Sequence, residues 1–231
     1  MTFPRANDVV CREGLVLVAV WSVKGGVGAT VVAVGAAVTA SRPEAPLLLV
    51  DLAGDGPTCL GIEEPVGPGV AEWLAAGGDV PPDALTRLAV PVAPGLDLLA
   101  RGAGPLNLAR ASLLVQVLSA SRPTVVVDGG DPTSVAAARV VIAEADRSLL
   151  VTRLCPLGLR RAAAAPVLPS GVIVVRDRGR TTPIAEVARI VGAPVVAEVA
   201  VDPAVARAVD AGLARRRLPR SFAATAGAVA T

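Results

Sequence analysis

Leu15-Val16-Leu17-Val18-Ala19-Val20-Trp21-Ser22 runs directly into Val23-Lys24-Gly25-Gly26-Val27-Gly28-Ala29-Thr30, and an apolar stretch of helical length, Val31 to Ala40, follows. A β-branched strand, a glycine-rich turn and a small-residue helix in that order make a phosphate-binding unit. Glycines let backbone N–H groups turn inward around an anion, and the helix N-terminus adds partial positive charge. Thr30 can offer its hydroxyl to Mg²⁺, as the final Ser/Thr of such loops does. Lys24 is the one lysine among 22 cationic residues, so arginine serves everywhere else. An ammonium is a compact point charge that fits among phosphate oxygens where a planar guanidinium does not. A loop of the form G-x-x-x-x-G-K-[ST] would carry its own lysine at the position held by Ala29. The rival ligand for the same turn is a dinucleotide: Gly26-x-Gly28-x-x-Val31 is a partial fingerprint, and Asp51 ends the second strand where an acid could hold a ribose.

Outward from the loop, β-branched runs alternate with Ala- and Leu-rich stretches. Strands are expected at Leu15–Ser22, Leu47–Asp51, Gly95–Leu99, Thr124–Asp128, Arg147–Thr152, Gly171–Arg176 and Pro194–Val199. Helices are expected at Ala29–Ala40, Val70–Ala76, Pro82–Leu88, Asn107–Ala120, Ser134–Ala145, Leu157–Ala165, Pro183–Val191 and Pro203–Ala211. The alternation predicts an α/β fold, a three-layer sandwich around a mostly parallel, doubly wound sheet. Asp51 and Asp128 then fall at the carboxyl edge of the sheet, where open α/β sheets bind ligands.

With 231 residues and no evident linker, the expectation is one domain over residues 13–220, a short disordered lead over 1–12 and a flexible tail over 221–231. Hydrophobic residues make up 53% and aromatics 2%, so Val, Leu, Ala and Ile must build the core. Apolar runs fall well short of the ~20 residues of a membrane span, and residues 1–12 show no secretory segment; a soluble, cytoplasmic protein is expected. Histidine is absent, which excludes Ser-His-Asp and Cys-His nucleophilic catalysis. Cys11, Cys59 and Cys155, odd in number and widely spaced, argue against a disulfide framework and against zinc. The net charge of +2 is too mild to signal nucleic-acid binding by itself. Local clustering remains: Arg215, Arg216, Arg217 and Arg220 could meet DNA phosphates or acidic lipid, or simply complement a helix C-terminus. Trp21 and Trp73 read as packing residues, and Arg139, Arg147 and Arg153 as surface charges.

Ser22-Val23-Lys24-Gly25-Gly26-Val27-Gly28-x-Thr30 resembles the deviant Walker A loop of the ParA/MinD superfamily, K-G-G-x-G-K-[ST]. Leu47-Leu48-Leu49-Val50-Asp51-Leu52 is similar to that family's L-L-V-D-x-D segment leading into switch I. Val125-Val126-Val127-Asp128-Gly129-Gly130 is similar to its Walker B strand and switch II, and Ala193 to Val199 followed by Asp202 to Gly212 to its last strand and helix. The pattern is most similar to the CpaE/TadZ-like and small ParA-like branch. The resemblance implies ATP or ADP as the bound nucleotide and Mg²⁺ as its metal. It implies that Lys24 reaches a partner subunit's phosphates in a homodimer, that Gly25, Gly26, Val27, Gly28, Ala29, Thr30 and Val31 cradle the phosphates, and that Arg176 stands where many members read adenine with asparagine. Thr30, Asp51 and Asp128 would hold the metal. It further implies a spatial organiser or partitioning factor whose cargo is a DNA, pilus or secretion partner.

Two departures bear on activity. Ala29 replaces the in-cis lysine, and Ala53 replaces the second aspartate of L-V-D-x-D, with Asp55 two residues on as a candidate substitute. Phosphoryl transfer depends on positioning and charge neutralisation. One preorganised contact of this kind is worth about 3 kcal/mol of transition-state stabilisation. The expectation is therefore nucleotide binding with weak or absent hydrolysis. The alternatives left open are an ATPase completed by a partner or opposing subunit, a nucleotide-free scaffold, and a dinucleotide-binding protein on the same fold.

Overall fold

The computed structural model describes residues 16–65, 67–77, 81–120, 124–180, 182–216, 222, 225, 227 and 228. Eight strands form one sheet: β1 (Leu17–Trp21), β2 (Leu47–Asp51), β3 (Val90–Ala93), β4 (Leu96–Leu99), β5 (Thr124–Gly130), β6 (Arg147–Arg153), β7 (Gly171–Arg176) and β8 (Val195–Ala200). Their order across the sheet is β3-β4-β2-β5-β1-β6-β7-β8, parallel except for the β3–β4 pair. The expected α/β sandwich is the observed fold.

The strands read as continuous apolar runs because both faces are covered. Successive side chains of β1 point to opposite faces. Leu17, Ala19 and Trp21 pack with α3 (Val70–Ala75), α4 (Ala111–Ser119), α5 (Ala136–Glu144), α6 (Pro156–Ala163) and α7 (Ile184–Val191). Val18 and Val20 pack with α1 (Ala29–Ala40), α2 (Gly56–Leu60) and α8 (Pro203–Asp210). α1 is made of Ala, Val, Gly and Thr and buries Val32 through Ala37 almost completely, so small side chains let it lie close on the sheet.

Three local features depart from the sequence reading. The helix expected at Pro82–Leu88 is two 3₁₀ turns, Pro82–Ala84 and Thr86–Leu88, closed by Ala84 N–H to Pro81 O and Leu88 N–H to Leu85 O. The backbone there closes i to i+3 bonds, which make single 3₁₀ turns rather than an α-helix. Residues 90–93, unassigned in sequence, form the antiparallel edge strand β3, where Pro91 is tolerated.

The third is the tail. The lead over 1–12 lies outside the described residues, but the tail expected to be flexible places Phe222, Thr225 and Ala228 in buried positions. Phe222 is 1% exposed, and its ring lies over Gly35 so closely that a Cβ there would fall 2.4 Å from its Cδ1. Arg147 donates to Ala228 O at 2.6 Å. One aromatic ring facing a glycine on α1 thus ties the tail to the sheet, a pairing that composition does not reveal.

Phe222→Ala should therefore destabilise the fold by about 3–5 kcal/mol, the usual cost of emptying a buried phenylalanine site, as read from urea unfolding. Gly35→Ala should destabilise in the same assay by displacing the same ring.

Candidate nucleotide-binding site

The glycine loop leaves β1 at Trp21 and is fixed at once: Ser22 N–H donates to Gly130 O at 2.9 Å, tying it to the end of β5. Gly26 (φ 73°) and Gly28 (φ 95°) adopt backbone that residues with a Cβ rarely take. A Cβ built on Gly25, Gly26 or Gly28 meets nothing within 4 Å, so the loop presents an open concave side rather than a packed turn. Gly28 precedes α1 without a side-chain cap. The first-turn N–H groups therefore face the cleft without an intrahelical acceptor, which is the physical basis of anion binding there.

The cleft in front of the loop has a volume of about 420 Å³ and is walled by Gly25 to Val31, Leu52, Ala53, Asp55 and the Gly129–Asp131 turn. It contains the expected phosphate-cradle residues from Gly25 to Val31. Lys24 is not among its lining residues: its Nζ donates to Gly25 O at 3.4 Å in an exposed contact. No lysine or arginine lines the cleft among the described residues, whereas Asp55 and Asp131 do. Asp131, which sequence reasoning did not single out, accepts from Thr133 N–H at 2.9 Å and from its hydroxyl at 2.7 Å, shaping the turn after β5.

The two strand-end carboxylates sit side by side, because β2 pairs with β5 in a register that sets Asp51 opposite Asp128. Asp51 is fully buried, and its two oxygens accept from Gly54 N–H at 2.7 Å and Gly56 N–H at 2.8 Å. Burial raises its pKa above the ordinary value, opposed by the N–H groups of Gly54, Gly56 and Ala53. Asp51 thus organises the turn over residues 53–56 through its own oxygens. Asp128 is different: Oδ1 accepts from Gly130 N–H at 3.2 Å, and Oδ2, buried, has no hydrogen-bond partner. Burial pushes the Asp128 carboxyl up to about 7, the Thr30 hydroxyl and Gly130 N–H pull it down, and Asp51 and Asp55 push it further up. An orphaned buried carboxylate oxygen beside a threonine hydroxyl fits a hydrated Mg²⁺ whose remaining ligands come from phosphates. No cluster of three or more acidic or Cys ligands exists among the described residues, so the protein alone makes no complete cage. Cys59 feels the same surroundings, its thiol pushed to about 12 by burial and by Asp128, Asp51 and Asp55.

Arg176 is not brought to this cleft. Its guanidinium pairs with Glu198 on the neighbouring strand, Nε donating at 2.7 Å, and it lines a separate hollow of about 410 Å³ between residues 176–180 and 200–203. The ion pair arises because β7 and β8 run in parallel with Val174 opposite Glu198. A second cleft that sequence reasoning missed, of about 290 Å³, shares Val27, Gly28 and Val31 with the first and is walled mainly by valines of β7, β8 and α8. Arg153, at the end of β6, is its one cation among the described residues. No signal in the sequence alone could place Arg153 beside the loop, since that requires knowing that β6 pairs with β1. Of the C-terminal arginines, Arg216 is exposed and Arg215 half-buried, while Arg217 and Arg220 lie outside the described residues.

No protein-family profile matches the chain, and no curated protein matches it by sequence. Solved structures do. A ParA family ATPase from Chlorobium tepidum TLS superimposes with a TM-score of 0.75 at 19% identity, covering 93% of this chain and 97% of that one. The septum site-determining protein MinD from Pyrococcus horikoshii OT3, solved with Mg-ADP, gives 0.72 at 19% identity over 93% and 96%. The fold is that of the ParA/MinD ATPases. The ATP complex of a Cyanothece McdA variant gives 0.68 at 18% identity over 93% and 96%. The strand pairing of this chain sets the glycine loop, Thr30 and Asp128 at one edge of the sheet, and no described helix is long and apolar enough to cross a membrane.

Because the native Asp128 carboxyl titrates near 7 and its ordinary value is 3.8, the metal-free native state holds a proton that the unfolded chain has released across that window. Stability therefore falls as pH rises from about 4 to about 7. Asp128→Asn should flatten most of that slope, leaving the smaller contribution of Asp51; urea midpoints at several pH values across the window measure it.

Proposed function

We propose that this chain binds ATP or ADP with Mg²⁺ in the cleft before the glycine loop, and that the bound nucleotide serves as a dimer clamp more than as fuel. The observation that carries the reading is the combination of an open glycine cradle at the N-terminus of α1 with the unpartnered Oδ2 of Asp128. Gly25 to Val31 would hold the phosphates, and Thr30 and Asp128 the metal, directly or through its waters. Bound Mg²⁺ would supply the positive charge that a polyphosphate needs in a cleft lined by Asp55 and Asp131 and by no cation. Asp51 would act one step back, holding the Ala53–Gly56 turn in place.

Hydrolysis is weak on this reading. Ala29 begins α1 and Ala53 walls the cleft, so neither position supplies a charged group to the phosphates or to an attacking water. Two absent groups of this kind leave turnover near background. Lys24, lying outside its own cleft, is free to serve the nucleotide of a second copy, which makes the functional unit a nucleotide-linked homodimer. The role that follows is that of a positioning or partitioning protein that recruits a protein cargo. Arg215, Arg216, Arg217 and Arg220 are the candidates for non-specific DNA contact.

Light scattering with and without Mg-ATP, run beside a phosphate-release assay, tests the proposal. ATP should raise the scattering mass to that of a dimer while phosphate release stays near background. Lys24→Ala should weaken that dimerisation and leave the release rate unchanged. Hydrolysis at the rate of an intact ATPase would overturn the clamp, and no response to ATP or ADP would overturn the nucleotide site.

A further inference from the structure

The phosphate cleft has a cation deficit that the adjoining cleft can make good. Its described lining has two carboxylates and neither lysine nor arginine. The second cleft opens on the other side of Val27, Gly28 and Val31 and contains Arg153. Arg153 ends β6, the strand paired with β1 on the side opposite β5, so its side chain emerges at the carboxyl edge next to the loop. One Nη donates to Asp177 Oδ1 at 3.3 Å, while Nε is buried and without a partner.

A bond between strand ends would account for Nη1 alone. An ion pair whose side chains are 33% and 29% exposed contributes little by itself, and it does not require the guanidinium to turn an N–H inward with no acceptor. Arg153 lines this cleft together with the valine walls and the loop's Gly28 and Val31, and its side chain is one-third exposed, so a ligand lying across the loop would meet the outer, Nη side of its guanidinium. The carboxylates lining this cleft, Asp202 and Asp210, do not satisfy Nε, and Asp202 Oδ1 is engaged in capping α8 through Ala204 N–H at 2.7 Å.

We propose that Arg153 is the in-cis cation of this site: its guanidinium donates to the phosphate chain of the nucleotide from the β6 side, with Asp177 holding the guanidinium plane. The inference rests on the reading of the cleft as a nucleotide site. It places the positive charge on the opposite flank of the loop from position 29. There a planar fork suits paired phosphate oxygens, and it stands outside the cleft that position 29 lines. The arginine therefore restores binding and leaves hydrolysis unassisted.

Calorimetric titration of the full chain with Mg-ADP and with adenosine, for the unaltered protein and for Arg153→Met, tests it. Arg153→Met should weaken ADP about 10- to 100-fold, as expected for a hydrogen bond to a charged group, and leave adenosine affinity and the melting temperature without ligand unchanged. Unchanged ADP affinity, or an equal loss for adenosine, overturns the proposal. Should Arg153→Met melt lower, Arg153→Lys, which can retain the Asp177 pair but lacks the planar guanidinium fork, carries the comparison: a several-fold loss for ADP supports the assignment and wild-type affinity overturns it. Failure of the unaltered chain to bind ADP removes the nucleotide site itself, whereas tight ADP binding that Arg153→Met leaves intact removes only the role of Arg153.

Discussion

Strand β5 lies between β1 and β2, and its hydrogen bonds set the position of every other part of the site. Its end accepts Ser22 N–H at Gly130 O and Leu52 N–H at Asp128 O, both at 2.9 Å, so the glycine loop and the turn after β2 are both tied to the end of one strand. A parallel sheet places the carboxyl ends of its strands at one edge. With Val20 and Asp51 both opposite Asp128, that edge brings the loop and two carboxylates together. A one-residue slip of β5 would turn Asp128 to the other face of the sheet. The valines on either side of it, buried against helices on both faces, hold the register.

The two carboxylates show how backbone geometry separates a satisfied buried acid from an unsatisfied one. Asp51 has three backbone N–H groups lowering its pKa against the cost of burial, and its oxygens are occupied by the Gly54 and Gly56 amides. Asp128, almost as deeply buried in the same sheet, has one backbone amide and an oxygen with none. A buried acceptor left open costs free energy unless a ligand or an ordered water fills it. The surrounding field is negative, since Asp51 and Asp55 both raise Asp128 and all three raise the Cys59 thiol. On the proposed reading, an anion cradle set in such a field takes a polyphosphate together with a divalent cation, whose charge offsets the surrounding carboxylates.

Much of this was legible in the chain because it is encoded locally. The strand–loop–helix from Leu17 to Ala40 needs only β-branched residues, glycines at the two positive-φ positions and small helix residues. Asp51 and Asp128 declared themselves by ending apolar runs. What the chain concealed was long-range. Arg176 could be placed at a strand end, but its capture by Glu198 depends on the β7–β8 register. Phe222 sits in an Ala-rich tail with no periodic partner, and its site exists because Gly35, nearly two hundred residues earlier, lacks a side chain. Arg153 looked like a surface charge until the strand order put β6 beside β1. The short helix α2 was hidden for a different reason: five residues carrying Gly and Pro have no helical signature, and its C-cap at Gly61 is fixed by close contact with Gly212 after α8.

The alanines at 29 and 53 gain meaning when taken as a pair. Against the ParA/MinD pattern, one stands for a cation and the other for an anion, so substituting both leaves the net charge of the cleft unchanged. The field that attracts a metal-bound polyphosphate depends on that sum. Hydrolysis depends instead on where individual charges sit relative to the transferring phosphoryl group and its attacking water. On the proposed reading, a neutral pair of substitutions spares binding and removes the positioned groups. Ala53 is also a wall: a Cβ on Gly130 would come within 3.2 Å of its own Cβ, so the two turns flanking the cleft approach each other at this point with only small side chains between them. On the proposed reading that close approach suits a site built to retain its nucleotide between subunits, because a bulkier pair would hold the two turns apart.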